Sequence, residues 1–318
     1  MKKNNSVVCT SNLVPGIDKQ LIFFGEYSGF QRYDQPKYSF AVEVEEKMRN
    51  GFWNPKEISL VGDRIKFPDL PMFVQEIETE VLLYQTIMDS ANNRGIDNIL
   101  STLVTSPEFE SMFKTHAYFE LIHSFSYSHI LREVFPNATE VFDSIQHRTE
   151  IHNRISKEIE CFDKVKNISN IDLINDVKNK NREEVLEYIT VNNITDTKTL
   201  KMIWDVHAIC EKNLNLEFNA DMTETERKQI ILELIVRIYA LESLKFYISF
   251  LVTYVINNSY NNKIQGITRI IKLINFDEDL HITVMAGVID ILKKEPSEGF
   301  SELINSYWFT DMVKNIFN

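Results

Sequence analysis

Glycine and proline are scarce in this chain of 318 residues, at nine and eight. So few turn-forming residues leave little room for the frequent tight turns of a sheet protein, and helix is the default expectation. Cysteine is scarcer still. Cys9, Cys161 and Cys210 stand apart, odd in number and without a Cys-x-x-Cys pair. That argues against a disulfide framework and fits reduced thiols in a cytoplasmic protein. No Lys/Arg run occurs, and 34 basic against 46 acidic side chains give a net charge of −12. A nucleic-acid surface is therefore not expected. Long hydrophobic runs are missing too. The longest uncharged stretch, Phe246 to Asn262, contains Tyr, Ser, Thr and Asn and reads as a buried helix end rather than a membrane span. Lys2 and Lys3 precede a segment too poor in apolar residues for a signal peptide.

What the chain does have is 44% hydrophobic residues, enough for a sizeable core. Residues 1–36 read as irregular, with Pro15, Gly16, Gly25, Gly29 and Pro36 as breakers, and residues 37–318 as one helical domain. A first helix is expected over Tyr38–Asn50. A second begins near Pro71, where Phe73, Ile77, Val81, Tyr84 and Met88 form an apolar stripe that ends at Asp89. A third opens with Ser106 as N-cap and Pro107 at the first helical position, and stops before Pro136. Further helices are expected over Ala138–Lys164, Thr223–Asn257 and Asn262–Lys294. Residues 165–200, rich in Asn, Lys and Asp, read as a peripheral helical insertion.

Chemistry enters with two Glu-x-x-His motifs, Glu120-Leu-Ile-His123 and Glu278-Asp-Leu-His281. Residues i and i+3 of a helix share a face, so each motif presents a carboxylate and an imidazole to one point. About one acidic-x-x-His match is expected by chance in such a chain, so the neighbours must carry the argument. Asp89 and Glu242 would supply one acid from each of two more helices, completing the ligand set of a ferritin-like di-metal carboxylate site. Glu242 shares its face with Phe246 and Phe250, where a carboxylate is costly unless something positive meets it. Tyr127 lies four residues after His123 and points to the same side. Mixed oxygen and nitrogen ligation suits iron or manganese better than structural zinc.

Around these residues the sequence resembles the small, radical-generating subunit of class I ribonucleotide reductase. The resemblance begins with Phe23-Phe-Gly and Gly29-Phe-Gln-Arg-Tyr-Asp34, and continues through Gly51-Phe-Trp-Asn-Pro-Lys-Glu57 and Tyr84-Gln-Thr-Ile-Met-Asp-Ser90. Its strongest blocks are Glu120–His129, Ala240–Phe250 and Asp277–His281, and together the blocks span most of residues 20–290. It implies an all-α ferritin-like bundle, a homodimer, and two metal ions, iron or manganese or one of each. Asp89, Glu120, His123, Glu242, Glu278 and His281 would hold them. Tyr127 would carry a tyrosyl radical made with dioxygen, in an apolar pocket of Phe246, Phe250 and Ile274. Trp53 and Asp277, with His123, would begin the radical route to the large subunit, which reduces ribonucleotides to deoxyribonucleotides.

Departures from the family pattern are also visible. His116 stands where many relatives have Trp, one turn before Glu120; it would hydrogen-bond a metal ligand or merely pack. Phe125 and Phe276 replace polar residues, which implies a more apolar neighbourhood for the metals. Only 37 residues follow His281, where the family usually continues into further helices and a docking tail. The expectation is a split subunit whose missing part comes as a separate C-terminal fragment, or else a truncated or degenerate copy. Two rival readings keep the bundle without radical export: a di-metal oxidase and a metal-storage or assembly protein.

Overall fold

The structure, a computed structural model, describes residues 19–25, 31, 33–100, 103–177, 180–192, 194–195, 200–201, 203–204, 207 and 223–317. Cys9, Cys210, Pro15, Gly16 and Gly29 lie outside them. Among the described residues the helices of ten residues or more are α1 (Ser39–Asn50), α2 (Met72–Gly95), α3 (Pro107–Val134), α4 (Thr149–Val177), α5 (Arg182–Val191), α6 (Glu224–Ala240), α7 (Phe246–Ser259), α8 (Gln265–Lys294) and α9 (Tyr307–Phe317). Extended pairing among them is confined to one antiparallel bridge, Phe23 with Val104. The all-α expectation holds.

Helix α3 starts where the sequence says it should. Pro107 occupies the first position, and the Ser106 hydroxyl accepts from the Phe109 N–H at 3.4 Å. Its buried face runs Phe109, Met112, Phe113, His116, Glu120, His123, Tyr127, Ile130 and Val134, a repeat of three and four residues. Helix α2 packs along α3, α7 packs on α2, and α8 packs on α6 and α7. Helix α1 closes the side and lies so near α8 that a Cβ on Gly287 would fall 2.0 Å from the Phe40 ring. No helix of the described residues is long and apolar enough to cross a membrane.

Several expectations need correction. The stretch read as one helix over Ala138–Lys164 breaks at a 3₁₀ turn, Ile145–His147, and α4 then runs on to Val177. Thr223–Asn257 is not one regular helix: a π turn, Leu241–Lys245, separates α6 from α7. The core face of α2 is Val74, Glu78, Leu82, Gln85, Asp89 and Asn92, whereas Phe73 and Ile77 are exposed. Hydrophobicity misled here because two polar residues of the inner face have partners on α7. Gln85 Nε2 donates to Ser249 Oγ at 2.9 Å, and Thr253 Oγ1 donates to Glu78 Oε1 at 2.9 Å. The stretch before α1 is partly anchored: Ile22 and Phe23 are fully buried, and the Ile22 N–H donates to Glu298 at 2.7 Å.

One distant cap orients α8. The buried Asp63 carboxylate accepts from the N–H groups of Gly266 at 3.0 Å and Ile267 at 2.9 Å, filling orphan donors of the first turn. Gly266 makes room for it, since a Cβ there would come within 2.6 Å of both Asp63 and the Ser59 carbonyl. Asp63→Ala is expected to destabilise the chain by roughly 1–3 kcal/mol, read as a lower urea midpoint, with metal stoichiometry unchanged.

Candidate metal centre

Four helical segments bring seven side chains together. Asp89 comes from α2; His116, Glu120 and His123 from α3; Glu242 from the π turn; Glu278 and His281 from α8. All seven are fully buried. The π turn is a local widening of the helix, a feature common at functional sites, and it carries Glu242. Two overlapping clusters result, Asp89, Glu120, His123 and Glu278 on one side and His116, Glu120, Glu242 and His281 on the other. Within each, one ligand atom per residue lies within 4.8 Å of the others. Glu120 belongs to both and stands between them.

Distances inside the clusters match coordination spheres. His123 Nδ1 lies 3.6 Å from Asp89 Oδ2 and 3.4 Å from Glu278 Oε1. His281 Nδ1 lies 2.9 Å from Glu278 Oε2 and 3.2 Å from Glu120 Oε1. Adjacent ligands held about 2.1 Å from one ion stand about 3 Å apart. Both Asp89 oxygens, Glu120 Oε2, Glu242 Oε2, Glu278 Oε1 and His123 Nδ1 are buried without a hydrogen-bond partner. Each such atom costs roughly 1–3 kcal/mol if nothing meets it. Their convergence, and a donor set of carboxylates and imidazoles, fits two divalent first-row ions.

The electrostatics tell the same story. Burial and the neighbouring Glu120 charge push the Asp89 carboxyl well above its ordinary range, and burial and Glu242 do the same to Glu278. Burial would raise Glu120 as well, but His116, His123 and His281 hold it well below that range. Burial alone would depress His123; its contacts with Asp277, Glu120 and Glu278 raise it instead. Four acids this close and this dry cannot all ionise unless cations balance them.

Beyond the clusters a polar relay leads outward. His123 Nε2 is 3.0 Å from Asp277 Oδ2, and the same oxygen accepts from Trp53 Nε1 at 2.8 Å. Tyr127 is fully buried and its hydroxyl has no hydrogen-bond partner. Burial, then the Asp89 and Glu278 charges, raise its pKa well above the ordinary value, which keeps the phenol neutral. Phe246, Phe250 and Ile274 are fully buried in the same core, the two rings stacked at 5.8 Å.

A model of the family described as ribonucleotide reductase, small chain, matches residues 32–180. The ribonucleoside-diphosphate reductase subunit beta of Buchnera aphidicola subsp. Baizongia pistaciae is 30% identical over 284 residues, which cover 89% of this chain and 66% of that protein. The chain belongs to the ribonucleotide reductase small-chain family. It spans about two thirds of the length of the curated relatives it matches, 66% for the first and 64% for the Escherichia coli O157:H7 protein. Among solved structures, the ribonucleotide reductase R2 subunit from Clostridium botulinum superposes with a TM-score of 0.64 at 22% identity, covering 98% of this chain and 78% of that one. Its likeness carries the fold alone: an all-α, ferritin-like bundle.

Set against this small-chain framework, the six ligand positions expected from sequence do come together, and His116 joins them. Phe125 and Phe276 do not line the two ligand clusters. They are 61% and 58% exposed, so the apolar neighbourhood expected from them is absent. Sequence reasoning also missed Asn92, whose Nδ2 donates to Glu242 Oε1 at 2.7 Å. The signal was available, because Asn92 follows Asp89 by three residues, the same-face spacing of the Glu-x-x-His motifs.

Proposed function

We propose that this chain is the radical-generating subunit of a ribonucleoside-diphosphate reductase. The observation that carries the reading is the buried juxtaposition of two ligand clusters with Tyr127 and with the His123–Asp277–Trp53 relay. Asp89, Glu120 and His123 with Glu278 would hold one ion, and Glu120, Glu242 and His281 with Glu278 the other. Two iron ions, two manganese ions or one of each, when bound, supply the oxidising equivalent drawn from dioxygen. One structural neighbour, of TM-score 0.55 and 18% identity, is a dimanganese(II)-NrdF from Streptococcus sanguinis, covering 91% of this chain and 80% of that one.

Tyr127 is suited to lose one electron and its phenolic proton. Asp89, the carboxylate whose charge bears most strongly on it, would take that proton. Phe246, Phe250 and Ile274 serve as the dry pocket that keeps water and reductants from the radical. An electron arriving from a large subunit at Trp53 would travel through Asp277 and His123 to refill Tyr127, moving the oxidising equivalent outward for reduction of ribonucleotides to deoxyribonucleotides. This chain would store that equivalent and leave nucleotide binding to the partner. Exposed Phe73 and Ile77 on α2, with Ile248, Leu251 and Val255 on α7, support a homodimer that covers them. Within the stretch read as a peripheral insertion, Val177 and Val185 join Ile203 in an apolar cluster apart from the main core, whereas Val165 belongs to that core.

Anaerobic loading with ferrous iron, then oxygen, and electron paramagnetic resonance beside a Tyr127→Phe control would test this. A tyrosyl signal absent from the control is the expected result. Metal uptake without any radical, with iron and again with manganese and an activating reductant, would sink it and favour a di-metal oxidase or storage protein.

A further inference from the structure

His116 is the side chain in this centre that neither the motif spacing nor the family pattern supplies. It stands one turn before Glu120 on α3 and is fully buried. Its Nε2 lies 3.2 Å from Glu120 Oε1 and 3.5 Å from Glu242 Oε1. His281 Nδ1 lies 3.2 Å from the same Glu120 oxygen and 3.8 Å from Glu242 Oε2. The two imidazole nitrogens therefore address the same pair of carboxylates from nearly equal distances. Their rings stack, with centroids 3.8 Å apart and planes 23° from parallel. Two imidazoles bound side by side on one ion place their ligating nitrogens about 3 Å apart.

A hydrogen-bonding role explains the geometry less well. Glu242 already receives a hydrogen bond from Asn92 Nδ2 at 2.7 Å, so its orientation is set from α2. His116 Nε2 is within hydrogen-bond distance of Glu120 Oε1 at 3.2 Å, but the same nitrogen also faces Glu242 Oε1 at 3.5 Å, so it stands between the two carboxylates as a ligand atom would. All four ligand atoms of His116, Glu120, Glu242 and His281 lie within 4.8 Å of one another, the spread that one ion can span.

Resting on the di-metal reading above, we propose that His116 is itself a metal ligand through Nε2, the seventh side chain of the centre. The two positions are then chemically unequal. The ion beside Asp89 has one imidazole, His123; the ion beside Glu242 has two, His116 and His281. Added nitrogen favours metals later in the divalent series, so the Glu242 position discriminates more strongly for iron over manganese.

A crystal of the full chain soaked with Mn(II), located by anomalous scattering, decides the matter. The proposal expects His116 Nε2 about 2.2 Å from the ion beside Glu242. An ion there with Nε2 beyond about 3 Å overturns it while leaving the di-metal reading intact. Two ions bound at neither cluster, or none, would overturn both. In solution, His116→Trp offers an N–H that can donate but cannot ligate. Ligation predicts that this variant keeps one tight ion per chain and binds the second at least about tenfold more weakly. A donor role predicts two ions bound as in the wild type. His116→Phe repeats the measurement should the larger ring not fold, and there too retention of both tight ions would count against ligation.

Discussion

Asp277→Asn is expected to lower turnover by the reconstituted reductase on the order of 100-fold or more while the Tyr127 radical still forms. Asp277 is a buried acid whose Oδ2 accepts from Trp53 Nε1 at 2.8 Å and meets His123 Nε2 at 3.0 Å. With His123 Nδ1 facing the ligand cluster, Nε2 carries the proton and donates to that oxygen. One anionic atom thus joins the Trp53 indole to the imidazole at the centre. An amide in its place keeps the shape and an acceptor but loses the charge that holds both donors at once. The His123 ring also becomes a weaker base, so metal must be supplied in excess for the comparison. Trp53→Phe is the companion: it keeps an aromatic ring in the core and removes the indole N–H. Radical yield by electron paramagnetic resonance, set beside nucleotide reduction with a large subunit, separates the roles. A structural defect lowers both by the same factor; a broken route lowers reduction alone. Equal losses in the two assays would remove Asp277 from the route.

Much of the centre was legible because its signals are local. Glu-x-x-His needs only one helical turn to place two ligands, and Ser106-Pro107 needs only one cap to start α3. The acids at Asp89 and Glu242 could be read from their apolar neighbours and from the family blocks. What could not be read depends on partners far along the chain. Phe73 and Ile77 made an apolar stripe, yet the buried face of α2 holds Glu78 and Gln85, whose partners Thr253 and Ser249 lie more than 160 residues away. A window of one helix cannot see that pairing. The π turn under Glu242 leaves no mark in the hydrophobic period, because Leu241, Glu242 and Phe246 would be buried in a regular helix of similar phase. His116 was visible as a departure from the family pattern, but its place beside Glu242 needed α3 and the distant π turn together.

Glu78 provides the second large effect. It is fully buried on α2, with Oε1 accepting from Thr253 and Oε2 without a partner. Burial, opposed only by the Thr253 hydrogen bond, pushes its carboxyl from 4.5 up to about 7. The folded chain therefore holds this proton more tightly than the unfolded chain does. The stability it confers is complete below pH 4.5, is lost as pH rises through 7, and then levels off. A shift of that size corresponds to about 3 kcal/mol. Glu78→Gln is neutral at every pH, keeps the shape and keeps an acceptor for Thr253. The variant should match the wild type near pH 4.5 and exceed it by about 3 kcal/mol at pH 8, as read by urea unfolding of metal-free protein across that range. A difference that does not change with pH would refute the cost assigned to this buried acid. The same helix carries its own comparison. Asp89 lies three turns from Glu78 on the same face, equally buried, but within a cluster that can hold an ion. Adding metal should stabilise wild type and variant alike and leave their difference curve unmoved, because the cations answer the acid at Asp89 and have no access to the one at Glu78.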